Sequence, residues 1–450
     1  MRLVLSTFAT LLLLAPLVHA QDKTPAPAAS TAAPAAAASS AMPDRPSLED
    51  IRNFTRVYEI IRQAYVKKVD NKALMGAAIK GMLSELDPHS AYLDKQGMRE
   101  LREETSGQYA GLGVVVTSRD QQLVVIAPID DTPAAKAGLK PGDVILKIDG
   151  APVDPQDVET SIDKLRGKAG SKITLTLVHD QAGSMPITKT LTRALISMTS
   201  VHMRDIEPGY VYIRISQFQS DTARDLDSKL EQLIARDGQP KGIILDLRSN
   251  PGGLVMAATG VADAFLDGGL IVSTRGRVEG SDMSFRAHPG DLAKGAPMVV
   301  LVNHGTASAA EILSGALKDH HRALIMGQRT FGKGVVQTVM QVDANHVLKL
   351  TTARYYTPDG TSIQAEGITP DIIIPDLVAH TGDAPPSLID SEADLPHHLH
   401  NENPKAVQAS HAASARTLAD NSALAERDYA LAQALSVLKG MVLARQGSSE

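Results

Sequence analysis

The sequence predicts an α/β protein of several domains, in which helical segments flank a small β-rich module and a layered core. Three observations predict it. Apolar residues fall at helical spacing in 47–105, short β-branched runs dominate from Gly107, and strand and helix patterns alternate from about 208. Such alternation is the mark of a layered α/β core.

Taken in order, residues 1–20 read as an export signal. Met1-Arg2 is a short positive start, Leu11–Leu14 sit in an apolar run, and Val18-His19-Ala20 place small residues where cleavage would fall. The run is short for a bilayer span, so an uncleaved anchor is the weaker reading. Residues 21–46 are mostly Ala, Pro, Ser and Thr and cannot bury enough surface to offset ordering entropy, which predicts a disordered linker.

The helical region runs over 47–107. Ser47-Leu48-Glu49-Asp50 starts one helix, with Ile51, Phe54, Val57, Tyr58 and Ile61 along it; Leu74 to Leu86 form another, broken by Asp87-Pro88. The β-rich module covers 108–195, with strands around Val114–Val116, Leu123–Ile126, Val144–Ile148 and Ile173–Leu177. Short helices are expected at Pro133–Gly138 and Asp157–Leu165. The alternating core spans 196–377. Residues 378–422 read as a disordered tail, and 423–450 as a C-terminal helix.

Composition excludes several functions. Only 3% of residues are aromatic, Trp is absent and the net charge is −6, so neither stacking platforms nor a phosphate-binding basic stripe is present. Nucleic acid is excluded as a partner. With no Cys, neither disulfides nor a lipid-modified cysteine can form.

Three core segments have the character of a site. Leu245–Gly253 is a buried strand entering a loop with two adjacent glycines, which frees backbone N–H groups to face an oxygen; a plain strand-to-helix turn is the alternative. Asn303–Glu311 puts Ser308 where a helix begins, near the positive end of its dipole and beside the N–H of Ala309. Alone, the segment favours Ser308 as a cap, with Glu311 completing a capping box. In Thr330–Gln337, Lys333 lies between two glycines among apolar neighbours. Burial there would disfavour its ammonium form, and a neutral amine can take a proton from a serine hydroxyl. Gln337 could orient that amine, but in a straight strand it would lie too far from Lys333, so a helical or tightly turned backbone is expected. His304 reads as a loop residue, and His320-His321 as partners of helix-end carbonyls. His397, His398 and His400 lie in the tail and HExxH is absent, so no metal is assigned.

Together with Leu86-Asp87-Pro88-His89-Ser90 and Gly142-Asp143-Val144-Ile145, these segments resemble, in order, the motifs of the C-terminal processing peptidases, or tail-specific proteases, over about 50–375. The resemblance implies a Clp protease/crotonase-like core with an inserted PDZ domain at 108–195. It implies Ser308 as nucleophile, Lys333 as general base and Gln337 as the residue positioning it. Ala309 with Gly252 or Gly253 would supply the oxyanion hole, and Asp319 a structural carboxylate. Gly111-Leu112-Gly113 resembles the PDZ loop that captures a terminal carboxylate, and Arg166 a residue coupling peptide binding to activation. His304 and Ala310 depart from the usual pattern outside the dyad.

The implied activity is periplasmic endoproteolysis of proteins with accessible C-termini, without cofactor or metal. Implied partners are a second copy of the chain, a lipoprotein adaptor, and cell-wall hydrolases as substrates. A catalytically silent PDZ adaptor is the principal rival, opposed by the intact Ser308, Lys333 and Gln337. Acyl-CoA chemistry, which the same architecture hosts, is disfavoured by the export signal.

Overall fold

The computed structural model describes residues 45–119, 121–179, 185–375, 391–399 and 428–447. The expected signal and linker, residues 1–44 within them, lie outside that set. Two units are present, one ending at Val69 and one beginning at Asp70.

In the first unit, α1 (Leu48–Ala64) starts where the sequence places it. The Ser47 hydroxyl accepts from the Asp50 N–H at 3.0 Å, and the Asp50 carboxylate accepts from the Ser47 N–H at 3.1 Å. The two caps satisfy donors that a helix end leaves open. Ile51, Phe54, Val57 and Ile61 are all exposed.

The second unit begins with α2 (Asn71–Ser84), β1 (Ala91–Leu93) and α3 (Lys95–Ser106). The β-rich module follows as β2 (Gln108–Gly111), β3 (Val114–Arg119), β4 (Gln122–Pro128), α4 (Pro133–Lys136), β5 (Val144–Ile148), β6 (Ala151–Pro152), α5 (Val158–Leu165), β7 (Lys172–Val178), β8 (Ile187–Thr192) and β9 (Ala194–Ser197). Its sheet runs β3-β4-β5-β7-β8, with β6 on β5 and β2 paired to β9. Ile173, Leu175 and Leu177 on β7 are buried while their neighbours are not, the period of two that a one-sided sheet requires.

The core contributes β10 (Val201–Glu207), β11 (Tyr210–Ile215), α6 (Thr222–Asp237), β12 (Gly242–Asp246), α7 (Val255–Asp263), β13 (Gly269–Gly276), β14 (Met283–Ala287), β15 (Met298–Val302), α8 (Ala309–Asp319), β16 (Leu324–Gly327), β17 (Val335–Gln341), β18 (Val347–Tyr356), β19 (Ile372–Ile373) and α9 (Tyr429–Gly447). One sheet has the order β10-β11-β12-β15-β16-β19, parallel except for β10. Every residue of β12 and β15 is buried, as expected for parallel strands covered on both faces. Ile243, Leu245 and Val300 pack with Leu226, Val261 and Leu313 of α6, α7 and α8. On the other face, Ile244, Val299 and Leu301 pack with Leu431, Leu435 and Leu438 of α9. Arg248 ties α9 to the strand ends: its Nη2 donates to Asp246 at 2.6 Å and to Asp428 at 2.7 Å.

A second, antiparallel sheet runs β1-β18-β13-β14, with β17 on β18. The sequence reading assigns no strands to it. Its residues, such as the Lys-Leu-Thr-Thr-Ala-Arg of β18, mix charged and hydroxyl side chains and only half bury them, so the apolar signal is weak. The expected disordered tail also differs from the structure. Residues 391–399 within it are described, with a 3-10 turn at Glu392–Asp394 and the Glu392 side chain buried. The remainder, residues 378–390 and 400–422, lies outside the described residues.

Leu438 is fully buried against the parallel sheet. Leu438→Ala should lower stability by about 2–5 kcal/mol, read as a reduced denaturation midpoint in urea.

Candidate active site

Adjacent parallel strands β12 and β15 deliver two loops side by side at their carboxyl ends. Side chains stitch the loops together. Asn303 Oδ1 accepts from the Ser249 N–H at 2.7 Å, the buried Thr306 hydroxyl donates to Leu247 O at 2.8 Å, and the Ala307 N–H donates to Asn250 O at 2.9 Å. Ser308 then opens α8 with φ 54° and ψ −115°. A capping serine sits in the extended region. A side-chain-bearing residue held at positive φ instead stores roughly 1–3 kcal/mol of strain, which the surroundings must over-determine. Ser308 thus occupies the cap position, with Glu311 completing the capping box, but in a strained backbone that an ordinary cap lacks.

The paired glycines meet this turn. A Cβ on Gly252 (φ 99°) would lie 2.9 Å from both Ala309 N and Ser308 Cβ, and one on Gly253 (φ 130°) only 2.2 Å from Phe218 O. Neither position admits a side chain. The Gly252 N–H donates to Asn250 Oδ1 at 2.9 Å and is thereby occupied. The N–H groups of Gly253 and Ala309 have no acceptor among the described residues.

Glu311, fully buried on the first turn of α8, joins the third segment to the second. Its Oε2 accepts from the N–H of Ser308 at 2.8 Å and of Lys333 at 2.9 Å. Its Oε1 accepts from the Gly332 N–H at 2.7 Å and from the Thr330 hydroxyl. Burial pushes the carboxyl up to about 7, against the four hydrogen bonds that pull it down. Only the capping position of Glu311 was visible in the sequence; its role as the bridge required the fold.

Ser308, Lys333, Gln337 and Gly253 line one cleft of about 470 Å³, together with Leu254, Val255, Val336, Lys349 and Tyr355. Helix α3 contributes Met98, Leu101, Arg102, Glu104 and Thr105 to its wall, which sequence reasoning did not single out. The sequence reading places this stretch in the helical region without marking its residues, since six of its twelve are charged and none is buried. No histidine among the described residues lines the cleft, and His304 is exposed. Burial, first, and then the positive charge of Lys349 lower the Lys333 pKa below its ordinary value, opposed by Glu392, Glu104 and Glu311.

The backbone joining Lys333 to Gln337 is neither helical nor tightly turned, contrary to expectation. Lys333 lies in a loop and Gln337 on β17, where a bulge between Val336 and Gln337 shifts the register. A bulge re-aims side chains that a regular strand would send to opposite faces. Gln337 Nε2 donates to Thr351 Oγ1 at 3.4 Å, leaving the amide oxygen as its free acceptor side. Asp319 Oδ2 accepts from the Asp359 N–H at 3.1 Å. The N–H groups of His320 and His321 donate to Ala316 O and Lys318 O of α8, while the His320 ring bonds Leu270 O at 2.7 Å.

Gly111, Leu112 and Gly113 lie apart from this cleft, between β2 and β3, with the Leu112 side chain in the module's core. Arg166 ends α5, pairs with Glu103 of α3 at 2.8 Å, and lies 5.8 Å from the Tyr109 ring centre. Its partner thus sits on the helix that walls the cleft.

A family model described as Peptidase family S41 matches residues 209–374, one described as PDZ domain matches 110–185, and one described as Activating protease CtpB N-terminal domain matches 12–97. A carboxy-terminal-processing protease of Bartonella bacilliformis is 44% identical over 333 residues, 74% of this chain and 76% of that protein. The carboxy-terminal processing protease CtpA of Bacillus subtilis is 36% identical over 318 residues, 70% of this chain and 67% of that protein. Among solved structures, a photosystem II D1 C-terminal processing protease is 32% identical, with 71% of this chain and 92% of that chain covered and a TM-score of 0.43. Fold and family models define a serine-type peptidase of mixed α/β architecture that carries a PDZ domain. The chain belongs to the carboxy-terminal-processing proteases of peptidase family S41.

Because Glu311 accepts from donors on both loops, Glu311→Gln turns an amide NH2 toward at least one N–H. The variant should lose about 100-fold or more in kcat/KM, measured on an unfolded protein substrate, while its circular dichroism stays native. The sign of the pH effect follows from a folded pKa near 7 against an ordinary value of 4.5. The stability Glu311 contributes is full below 4.5 and is lost as pH rises through about 7, so the variant should lack that slope in a denaturation series.

Proposed function

We propose that this protein is a periplasmic endopeptidase that captures substrate C-termini in its PDZ module and hydrolyses peptide bonds with a Ser308–Lys333 dyad. One observation carries the reading: a serine at a strained helix start and a half-buried lysine share a cleft that no histidine among the described residues lines, their backbones joined through the Glu311 carboxylate.

In this mechanism the neutral Lys333 amine takes the Ser308 proton as Oγ attacks the scissile carbonyl carbon. The oxyanion forms against the N–H groups of Ala309 and Gly253, the pair left open once Asn250 engages Gly252. Collapse expels the leaving amine, which receives its proton from the Lys333 ammonium. Water then attacks the acyl-enzyme, Lys333 again takes the proton, and Ser308 is restored. Gln337 holds the amine through its amide oxygen, and Asp319 is structural.

The substrate's terminal carboxylate would meet the N–H groups of Gly111, Leu112 and Gly113, with the peptide pairing along β3. Arg166 would pass occupancy on through Glu103 to α3 and the cleft wall. The apolar lining of Leu254, Val255, Val336 and Tyr355 suits an aliphatic side chain at the cut. The expected signal at 1–20 supports export, and no helix among the described residues is long and apolar enough to cross a membrane.

Ser308→Ala and Lys333→Ala should each abolish cleavage of an unfolded protein while retaining binding of a peptide with a free C-terminus. Wild-type cleavage by both variants would sink the dyad; absence of cleavage by the wild type itself, with peptide binding intact, would leave a tail-binding adaptor. A second outcome concerns pH. Activity needs the neutral amine, so kcat/KM should fall on the acid side of a limb lying below 10.5. Removing the positive neighbour in Lys349→Met should move that limb to higher pH.

A further inference from the structure

The Leu86–Ser90 turn and the 391–399 segment play no part in the chemistry above, yet the segment reaches the Lys333 loop and the turn reaches the segment. Glu392 is 1% exposed. Its N–H donates to Phe331 O at 2.9 Å, two residues before Lys333. Its carboxylate accepts from Gln364 Nε2 at 3.1 Å, and Gln364 Oε1 accepts from the Gly334 N–H at 2.9 Å, one residue after Lys333. A single buried side chain, with its own backbone, therefore holds the loop on both sides of the lysine.

His89 completes the arrangement. Its Nε2 lies 2.8 and 2.9 Å from the two Glu392 carboxylate oxygens. The buried Asp87 aims it, since Asp87 Oδ1 accepts from the N–H groups of His89 and Ser90, both at 2.8 Å. Ser90 Oγ donates to Asp87 Oδ2 at 2.7 Å and accepts from the Thr351 N–H of β18 at 3.1 Å. The Asp-Pro-His-Ser motif is thus a rigid bracket on the second sheet that presents an imidazole to Glu392.

We propose that Glu392 is a positioning residue for Lys333, clamping the Phe331–Gly334 loop from both sides while His89 clamps Glu392. The inference rests on the reading of Lys333 as proton acceptor. It makes the 391–399 segment part of the working enzyme rather than a tail, because a lysine loop released by an ångström loses alignment with Ser308. Packing alone would make the same contacts stabilising without touching the chemistry, so the test needs an electrostatic readout. The charged groups facing Lys333 are Lys349 of β18, Glu104 of α3, Glu311 of α8 and Glu392. Facing Glu392 are His89 and Lys333. A negative Glu392 favours the protonated amine, so its neutral replacement lowers the Lys333 pKa.

The experiment measures kcat and KM against pH for the full chain on an unfolded protein substrate, comparing wild type with Lys333→Ala, Glu392→Ala and Glu392→Gln. Glu392→Ala, which leaves Gln364 and His89 without their acceptor, should lower kcat about 10- to 100-fold with KM within about 3-fold. Glu392→Gln, near in shape and able to accept one of the two hydrogen bonds, should lose less kcat and shift the acid limb of kcat/KM to lower pH. Should Glu392→Ala fail to fold, the direction of the Glu392→Gln limb decides alone. An inactive Lys333→Ala beside Glu392 variants with wild-type kcat and an unmoved limb overturns the positioning role and spares the dyad. A fully active Lys333→Ala overturns the dyad and this inference with it.

Discussion

The buried carboxylate of Glu311 is the contact on which the rest of the site depends. A serine on one loop and a lysine on another, separated by β16, can act together only if something fixes their backbones to a common point. Glu311 does so with two oxygens and four donors, taking N–H groups from Ser308, Gly332 and Lys333 and the hydroxyl of Thr330. An unpaired carboxylate in that interior would carry a large desolvation penalty. Full satisfaction by donors from both loops is what makes the burial tolerable, and it couples the penalty to correct geometry. If either loop withdraws, the carboxylate loses partners and the native arrangement loses stability.

The parallel sheet supplies the other constraint. Because β12 and β15 are neighbours in one direction, their following loops emerge at the same edge, where ligands gather in open α/β folds. The strain at Ser308 and the two side-chain-free positions at Gly252 and Gly253 are local consequences of pressing those loops together. Arg248 anchors the base of the same loop to Asp246 and to Asp428 at the start of α9. A helix distant in sequence therefore closes the far face of the sheet and braces the strand end that leads into the glycines.

Much of this was legible in residue patterns, and the reasons are specific. The strands of the parallel sheet are continuous apolar runs, so Met298–Val302 and Gly242–Asp246 declare themselves. Lys333 stood out between two glycines, whereas Ser308 alone read as a cap and was singled out by the ordered set of motifs that resemble the peptidase family. The second sheet was not legible, because β17 and β18 bear hydroxyl and charged side chains at half-buried positions. With that sheet missing, the bulge that puts the adjacent Val336 and Gln337 on one cleft wall could not be foreseen. Glu392 was hidden for a different reason. It lies in a polar stretch that looks unable to order, and one buried, fully bonded glutamate leaves no periodic trace.

The charges around Lys333 show what the site gives up for its geometry. Burial and the facing Lys349 disfavour the ammonium form, which a proton acceptor requires. Glu311, Glu392 and Glu104 work the other way, and two of these are the very carboxylates that hold the loop. A neutral scaffold would lower the lysine pKa further but could not gather so many N–H donors at one point, since only a carboxylate accepts on every side. The net displacement is still downward, with burial as its first cause. Burial around the amine therefore outweighs the carboxylates, and α3 forms part of the cleft wall beside it. Under the mechanism proposed for Lys333, a shift of α3, whose Glu103 pairs with Arg166 of the PDZ module, would change how much water reaches the amine and so how basic it is.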